Sequence, residues 1–195
     1  MRRDLTNSVL AIIVFTVLLG LAYPLATTGL AQVLWPNKAD GSVVDRDGKA
    51  VGSRLIGRDF KGRPRYFQSR PSATDYNPSA TFFNNLGPNS RELSRQLARN
   101  RAAYLRRERP FDPGLRAADL PADTVTSSAS GVDPHISNAN AEIQARRVAE
   151  VRGLPLERVM ELVDDNTDGR GLGVLGEPGV NVLELNLALD REGRR

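Results

Sequence analysis

From Leu5 to Asn37 the chain carries no charged side chain. Within that stretch residues 9–21 read VLAIIVFTVLLGL, and the apolar character continues to Ala31. A hydrocarbon layer of roughly 30 Å takes about 20 helical residues to cross. A central Leu, Ile, Phe or Val favours insertion by about 0.3–0.6 kcal/mol, and together they outweigh Thr16 and Gly20. The stretch therefore reads as a transmembrane helix. Val9, Ile13 and Leu18 fall on its lipid-soluble surface, and Tyr23 and Trp35 suit interfacial depths. Ala22, Ala26 and Gly29 are small enough to let a second helix approach closely. Pro24 predicts a kink, tolerable where a neighbour satisfies the freed carbonyl.

A cleaved signal peptide is the rival reading, with cleavage after Ala22 or Ala31. The length of the apolar run and its Tyr23-Pro24 and Thr28-Gly29 packing surface favour a retained anchor. Arg2 and Arg3 precede the span and place the N-terminus in the cytoplasm. The division expected is 1–37 as anchor and flanks, and 38–195 as one extracytoplasmic domain of ordinary size. The fold class is α+β, with one transmembrane helix followed by a single mixed α/β domain.

Composition removes several chemistries. There is no Cys and a single His, His135. Disulfides, thiolate or multi-histidine metal sites and cysteine nucleophiles are therefore excluded within one chain. The net charge of +4 is mild, although residues 91–109 and 191–195 are locally rich in Arg. Such a basic helix suits a solvated face, lipid headgroups or an acidic partner.

Along the domain, residues 37–52 predict a short hairpin around Val43, Val44 and an Asp47-Gly48 turn. Residues 53–60 read as a second short strand. Residues 63–88 are broken by Pro64, Pro71, Pro78 and Pro88, yet hold Tyr66, Phe67, Tyr76, Phe82 and Phe83. That aromatic density predicts an ordered, packed loop. Asn89 with Glu92 predicts a capping box opening a helix that ends at Pro110. Residues 124–131 are β-prone. Ser137 or Asn138 caps a second helix, with Ala141, Ala145 and Val148 on one face and Gly153 closing it. A third helix carries Leu156, Val159, Met160 and Val163. Residues 164–179 form a glycine-rich loop. Residues 180–189 (VNVLELNLAL) alternate apolar and polar and predict a half-buried strand.

Gly171, Gly173 and Gly176 spell GxGxxG, but a helix precedes and a strand follows, the reverse of a dinucleotide site. Acidic Glu157, Glu161, Asp164 and Asp165 on the third helix exclude a DNA-reading helix-turn-helix, so no nucleic acid is expected as partner. There is no Walker A and no Asp-Lys-Thr-Gly sequence, so the chain by itself hydrolyses no ATP. Ser130 and His135 leave open an anchored extracytoplasmic hydrolase, without a GxSxG elbow to support it.

Several ordered stretches resemble the KdpC family, the accessory subunits of bacterial Kdp potassium-transporting P-type ATPases. They are TSSASGVDPHIS at 126–137, QARRVA at 144–149, LGEP at 175–178 and VNVLELNLALD at 180–190. Tyr23-Pro24, Thr28-Gly29, Gln32, RPSA at 70–73, Tyr76-Asn77 and NLGP at 85–88 agree. TFFN at 81–84 departs from the small residues usual there. The resemblance implies a non-catalytic subunit at the bacterial plasma (inner) membrane. Its partners would be a potassium channel-like subunit, a P-type ATPase subunit and a small single-helix subunit. It further implies potassium uptake driven by ATP hydrolysed elsewhere, with the family acting as a catalytic chaperone for ATP binding. No cofactor belongs to the chain itself, and ATP enters at the level of the complex. An external domain cannot reach cytoplasmic ATP, so the residue-level reading favours assembly and support of the channel entrance. Were nucleotide contacted, Gln144 with Ser128, Ser130 and Gly131 would be the residues; no catalytic or metal residue is expected.

Overall fold

With no charged side chain to solvate from Leu5 onward, the N-terminal residues satisfy their backbone groups internally, and one continuous helix results. A computed structural model of the protein describes residues 1–46, 48–80, 82 and 85–192. Two compact units are recognised, Met1–Ser53 and Arg54–Arg195.

In the first unit, α1 (Arg2–Phe15) runs through a π-helical segment, Thr16–Ala22, into α2 (Tyr23–Leu34). The whole spans 33 residues, and its most apolar 18-residue window has a mean hydropathy of 2.5, long and apolar enough to cross a membrane. Where the sequence predicts a kink, the helix changes register. An α register would press the Pro24 ring onto the Gly20 carbonyl and leave that carbonyl unpaired; the wider π turn relieves both problems. Thr27 Oγ1 donates to the Tyr23 and Pro24 carbonyls, 3.0 Å each, which covers acceptors near the break. Trp35 leaves helical geometry, and a single turn, α3 (Pro36–Ala39), follows. The expected hairpin forms from β1 (Val43–Arg46) and β2 (Lys49–Ser53), with a register shift between Val44 and Asp45. Gly48 takes φ +76°, while Asp47 lies outside the described residues.

The second unit is built from α4 (Arg91–Glu108), β3 (His135–Ile136), α5 (Asn138–Arg152), α6 (Leu156–Asp165), β4 (Thr167–Asp168), β5 (Gly179–Asn181) and α7 (Val182–Glu192). Its small antiparallel sheet has the order β3-β5-β4, pairing Ile136 and Thr167 with Val180. Fully buried Ala141, Ala145 and Val148 of α5, Val159 of α6 and Leu185 and Leu189 of α7 form the core beside Val180.

Four sequence expectations are corrected here. Residues 54–60 form no strand, because their polar backbone is satisfied singly. Gly57 N–H donates to the Val132 carbonyl at 2.7 Å, and Asn181 Nδ2 donates to the Arg54 carbonyl at 2.9 Å. Ser90, not Asn89, caps α4, accepting from Leu93 N–H. Residues 124–131 are irregular past a 3₁₀ turn (Ala122–Thr124); Asn100 Nδ2 donates to the Val125 carbonyl and Ser128 N–H to Pro71, in place of a ladder. The largest correction concerns residues 180–189: only Gly179–Asn181 is strand, and α7 follows. Val182, Leu183, Leu185, Asn186 and Leu189 are buried, which is helical rather than two-fold spacing. Past Val182 the residues are Leu, Glu, Asn and Ala, none β-branched. Asn181 Oδ1 accepts from Glu184 N–H at 3.2 Å and caps the helix start.

The loop at 63–88 is ordered as expected where described, with Phe67 fully buried and Tyr76 nearly so. Thr81, Phe83 and Asn84, including most of the TFFN departure, lie outside the described residues. Ser137 caps α5, accepting from Asn140 N–H at 3.1 Å, and Gly153 closes it at φ +67°, ψ +31°. No atom blocks a Cβ at Gly153, so Gly153→Ala pays backbone strain alone. A loss of about 1 kcal/mol is expected, read as a small drop in thermal midpoint with the fold intact.

Candidate functional site

Asn140, Gln144 and Arg147 occur at i, i+4 and i+7 and therefore share one face of α5. All three are buried. The face is registered by Asp123, which accepts from Ser137 N–H at 2.9 Å, from Ser137 Oγ at 2.8 Å and from Asn140 Nδ2 at 2.9 Å. Opposite it runs the irregular segment 64–68, which cannot form a ladder because Pro64 and its neighbours lack strand partners.

Side-chain amides replace that ladder. Gln144 Oε1 accepts from Gln68 N–H at 2.8 Å, and Gln144 Nε2 donates to the Gln68 carbonyl at 3.1 Å. Asn186 of α7 clasps Phe67 in the same two-point manner, at 2.8 and 2.9 Å. Gln144 also donates to Asn140 Oδ1 and accepts from Arg147 Nη2, 2.9 Å each. Both donors and both acceptor positions of its amide are thus filled within the fold.

Arg147 is the deepest charge. Its Nε meets both Glu108 oxygens at 3.2 and 3.0 Å, with side chains 0% and 1% exposed. Its Nη1 donates to the Pro64 and Tyr66 carbonyls. Burial pulls the guanidinium below its ordinary pKa, and Glu108 opposes that shift.

A cavity of about 270 Å³ opens beside this network, lined by Lys61, Arg70, Arg107, Tyr76, Tyr104 and Gln144 among others. Its cations are partly spoken for: Lys61 meets Asp75 at 2.8 Å and Arg70 meets Asp133 at 3.0 Å. Tyr104 donates to Asn140 Oδ1 at 2.8 Å. Burial pushes both phenols above 10.0, with Glu108 adding to the effect at Tyr104 and Asp59 at Tyr76. A phenol whose folded pKa is raised contributes stability that is complete below its unfolded pKa and lost as pH rises through the folded one. The thermal midpoint should therefore decline as pH climbs above about 10, and Tyr104→Phe should flatten part of that decline. An equally steep decline in a Tyr76→Phe/Tyr104→Phe protein would contradict this assignment.

The residues singled out for nucleotide do not share one pocket. Ser128 is buried and lines a separate cavity of about 230 Å³ with Gln96, Thr126 and Ser127. Ser130 Oγ accepts from Val132 N–H. Gly131 sits at φ +75° against Thr74, its carbonyl accepting from Ser72 Oγ at 2.6 Å. Gln144 lines the larger cavity described above.

For the hydrolase alternative, His135 Nε2 lies 3.0 Å from Asp168 and Nδ1 3.9 Å from Asp133. No hydrogen bond among the described residues joins it to Ser130. Among the described residues no group of three or more His, Asp or Glu is placed to hold a metal ion. The site binds backbone and bounds a polar cavity; among the described residues no hydrogen bond pairs a serine hydroxyl with His135.

Sequence reasoning missed Glu108, Arg147 and Asn186. The QARR run offered a signal, since Gln144 and Arg147 three apart must share a face. The anchor residues, in contrast, are exposed among the described residues. Val9, Ile13, Leu18 and Tyr23 are 49%, 54%, 52% and 63% exposed. Ala22, Pro24, Ala26 and Gly29 are exposed as well, and a Cβ at Gly29 would meet nothing.

A family model described as "KdpC: K+-transporting ATPase, c chain" matches residues 5–191. Three relatives carry the name potassium-transporting ATPase KdpC subunit. That of Caldanaerobacter subterraneus subsp. tengcongensis is 46% identical over 192 residues, covering 98% of this chain and 97% of its own. That of Koribacter versatilis is 47% identical, covering 97% and 95%. That of Bradyrhizobium diazoefficiens is 45% identical over 204 residues, covering 98% of each.

Proposed function

The chain belongs to the KdpC family, the c chains of K+-transporting ATPases, and from that premise we propose that it is the membrane-anchored assembly subunit of such a complex. It performs no chemistry of its own. The helix Arg2–Leu34 crosses the bacterial plasma (inner) membrane once, N-terminus in the cytoplasm, and packs its small-residue surface on partner helices. The domain lies on the extracytoplasmic side. The partners are a potassium channel-like subunit, the P-type ATPase subunit that hydrolyses ATP, and a small single-helix subunit.

One observation carries this reading: a 33-residue helix whose apolar 18-residue window has no residue buried among the described residues. An exposed surface of that length is stable only in lipid or against other helices. The effect on nucleotide follows from assembly. ATP acts at the complex level, and the chain serves as a catalytic chaperone by holding the ATPase subunit in the form that binds nucleotide well. What supports an indirect route is the fully occupied Gln144 amide, which has no donor or acceptor left for a ligand.

Co-purification in mild detergent tests the proposal. The full chain should bring down the P-type ATPase subunit, and a protein lacking residues 2–34 should not. Recovery of the full chain alone would overturn it, as would unchanged recovery of partners with the shortened protein. Protease added to spheroplasts should digest the domain; protection would reverse the orientation.

A further inference from the structure

Between β4 and β5 the glycine-rich turn holds three large apolar side chains in water. Leu172 is 92% exposed, Val174 73% and Leu175 63%. Single exposed leucines are ordinary; three on one tight turn are a patch. The turn is also preshaped. Gly171 and Leu175 exchange two backbone hydrogen bonds of 2.8 Å, and Gly173 N–H donates to the Arg170 carbonyl at 3.1 Å. Arg170 and Glu177 clamp its base at 2.7 Å. Leu172 is held at φ +52°, a left-handed conformation disfavoured for a residue with a Cβ. At 92% exposure the Leu172 side chain gains little packing among the described residues in return for that strain.

We propose that this turn is a preformed docking knob, received by an apolar cleft with a basic rim on the extracytoplasmic face of another subunit of the transport complex. The proposal rests on the reading of the chain as an anchored subunit with its domain outside. Charge chooses the occupant. Arg170 and Glu177 neutralise each other and Asp168 meets Arg54 and His135, which leaves Asp164 and Asp165, at the end of α6 before the turn, exposed and without an ion pair among the described residues. Lipid surfaces that recruit protein segments are anionic and select basic ones, so an acidic collar turns the knob away from headgroups and toward a basic protein rim. Rigidity lowers the ordering cost of binding, which suits a contact made once during assembly.

The test uses the assembled complex, co-expressed with all its subunits. A photoreactive residue at position 172 should crosslink to a second subunit on irradiation. Crosslinking to lipid only, to another copy of this chain, or to nothing overturns the proposal. Leu172→Ser/Val174→Ser/Leu175→Ser should lower partner recovery at least about tenfold, as loss of a contact centre does, with an unchanged thermal midpoint. If the triple variant melts early, Leu172→Ser alone carries the comparison. Full partner recovery with a stable variant defeats the knob and leaves the anchored-subunit reading standing. Failure of the wild-type chain to recover partners defeats both.

Discussion

An Arg147→Ala protein should lose about 3 kcal/mol of folding stability, the lower end of the cost of breaking a buried ion pair, because Arg107 Nε still meets one Glu108 oxygen at 2.5 Å while the other loses its donor. At about 2–4 °C per kcal/mol for a chain of this size, the thermal midpoint falls by roughly 6–12 °C. The reason is positional. Glu108 is 1% exposed and cannot recover water in exchange for the guanidinium. The Pro64 and Tyr66 carbonyls and the Gln144 amide lose a donor at the same moment. Replacing both charges, as Arg147→Met with Glu108→Leu, should cost less than the single change, because the only charge that loses its partner, Arg107, is 35% exposed and reaches water. Melting in detergent measures all three proteins. A single-variant loss under about 1 kcal/mol, the range of exposed pairs, would mean that Arg107 alone satisfies Glu108 or that water reaches it.

Charging the middle of the anchor gives the other large effect. Leu18→Arg with Leu21→Arg puts two guanidinium groups on neighbouring turns of the span. Each costs about 2.5–3.5 kcal/mol at the helix centre, besides the lost apolar gain, about 6–8 kcal/mol together. The protein should leave the carbonate-washed membrane fraction almost entirely, whereas Leu18→Ile with Leu21→Ile should remain. Retention of the doubly charged protein would show that these positions face a polar surface or sit outside the bilayer.

The sequence made the anchor legible because insertion depends on composition summed over a window, and no partner within the chain is needed. Helix ends were nearly as legible: Ser137 and Gly153 act through their own side chain or their lack of one. Ser90 displaced Asn89 by a single position, since both side chains can cap and only the geometry of the turn chooses. Residues 180–189 misled because Val180 and Val182, and then Leu183, Leu185, Leu187 and Leu189, each allow a two-fold reading of a short run. The signal against it was Asn181 followed by Glu184, the start of a helix. The same family was legible through long ordered stretches, and the matched relatives bear that out.

The polar core was not legible at all. Nothing near Gln68 in sequence announces that Gln144, 76 residues on, supplies its hydrogen-bond partners. By itself the sequence determined an uncharged helix, the caps of α5 and the family, because each rests on local chemistry or on strings of residues. Only the tertiary structure decided that 180–189 turns helical, that segment 64–68 is held by amides rather than strands, and that Arg147 is neutralised by Glu108. Those outcomes depend on which distant group arrives to satisfy a buried donor or acceptor, and that is a property of the packed chain rather than of any stretch within it.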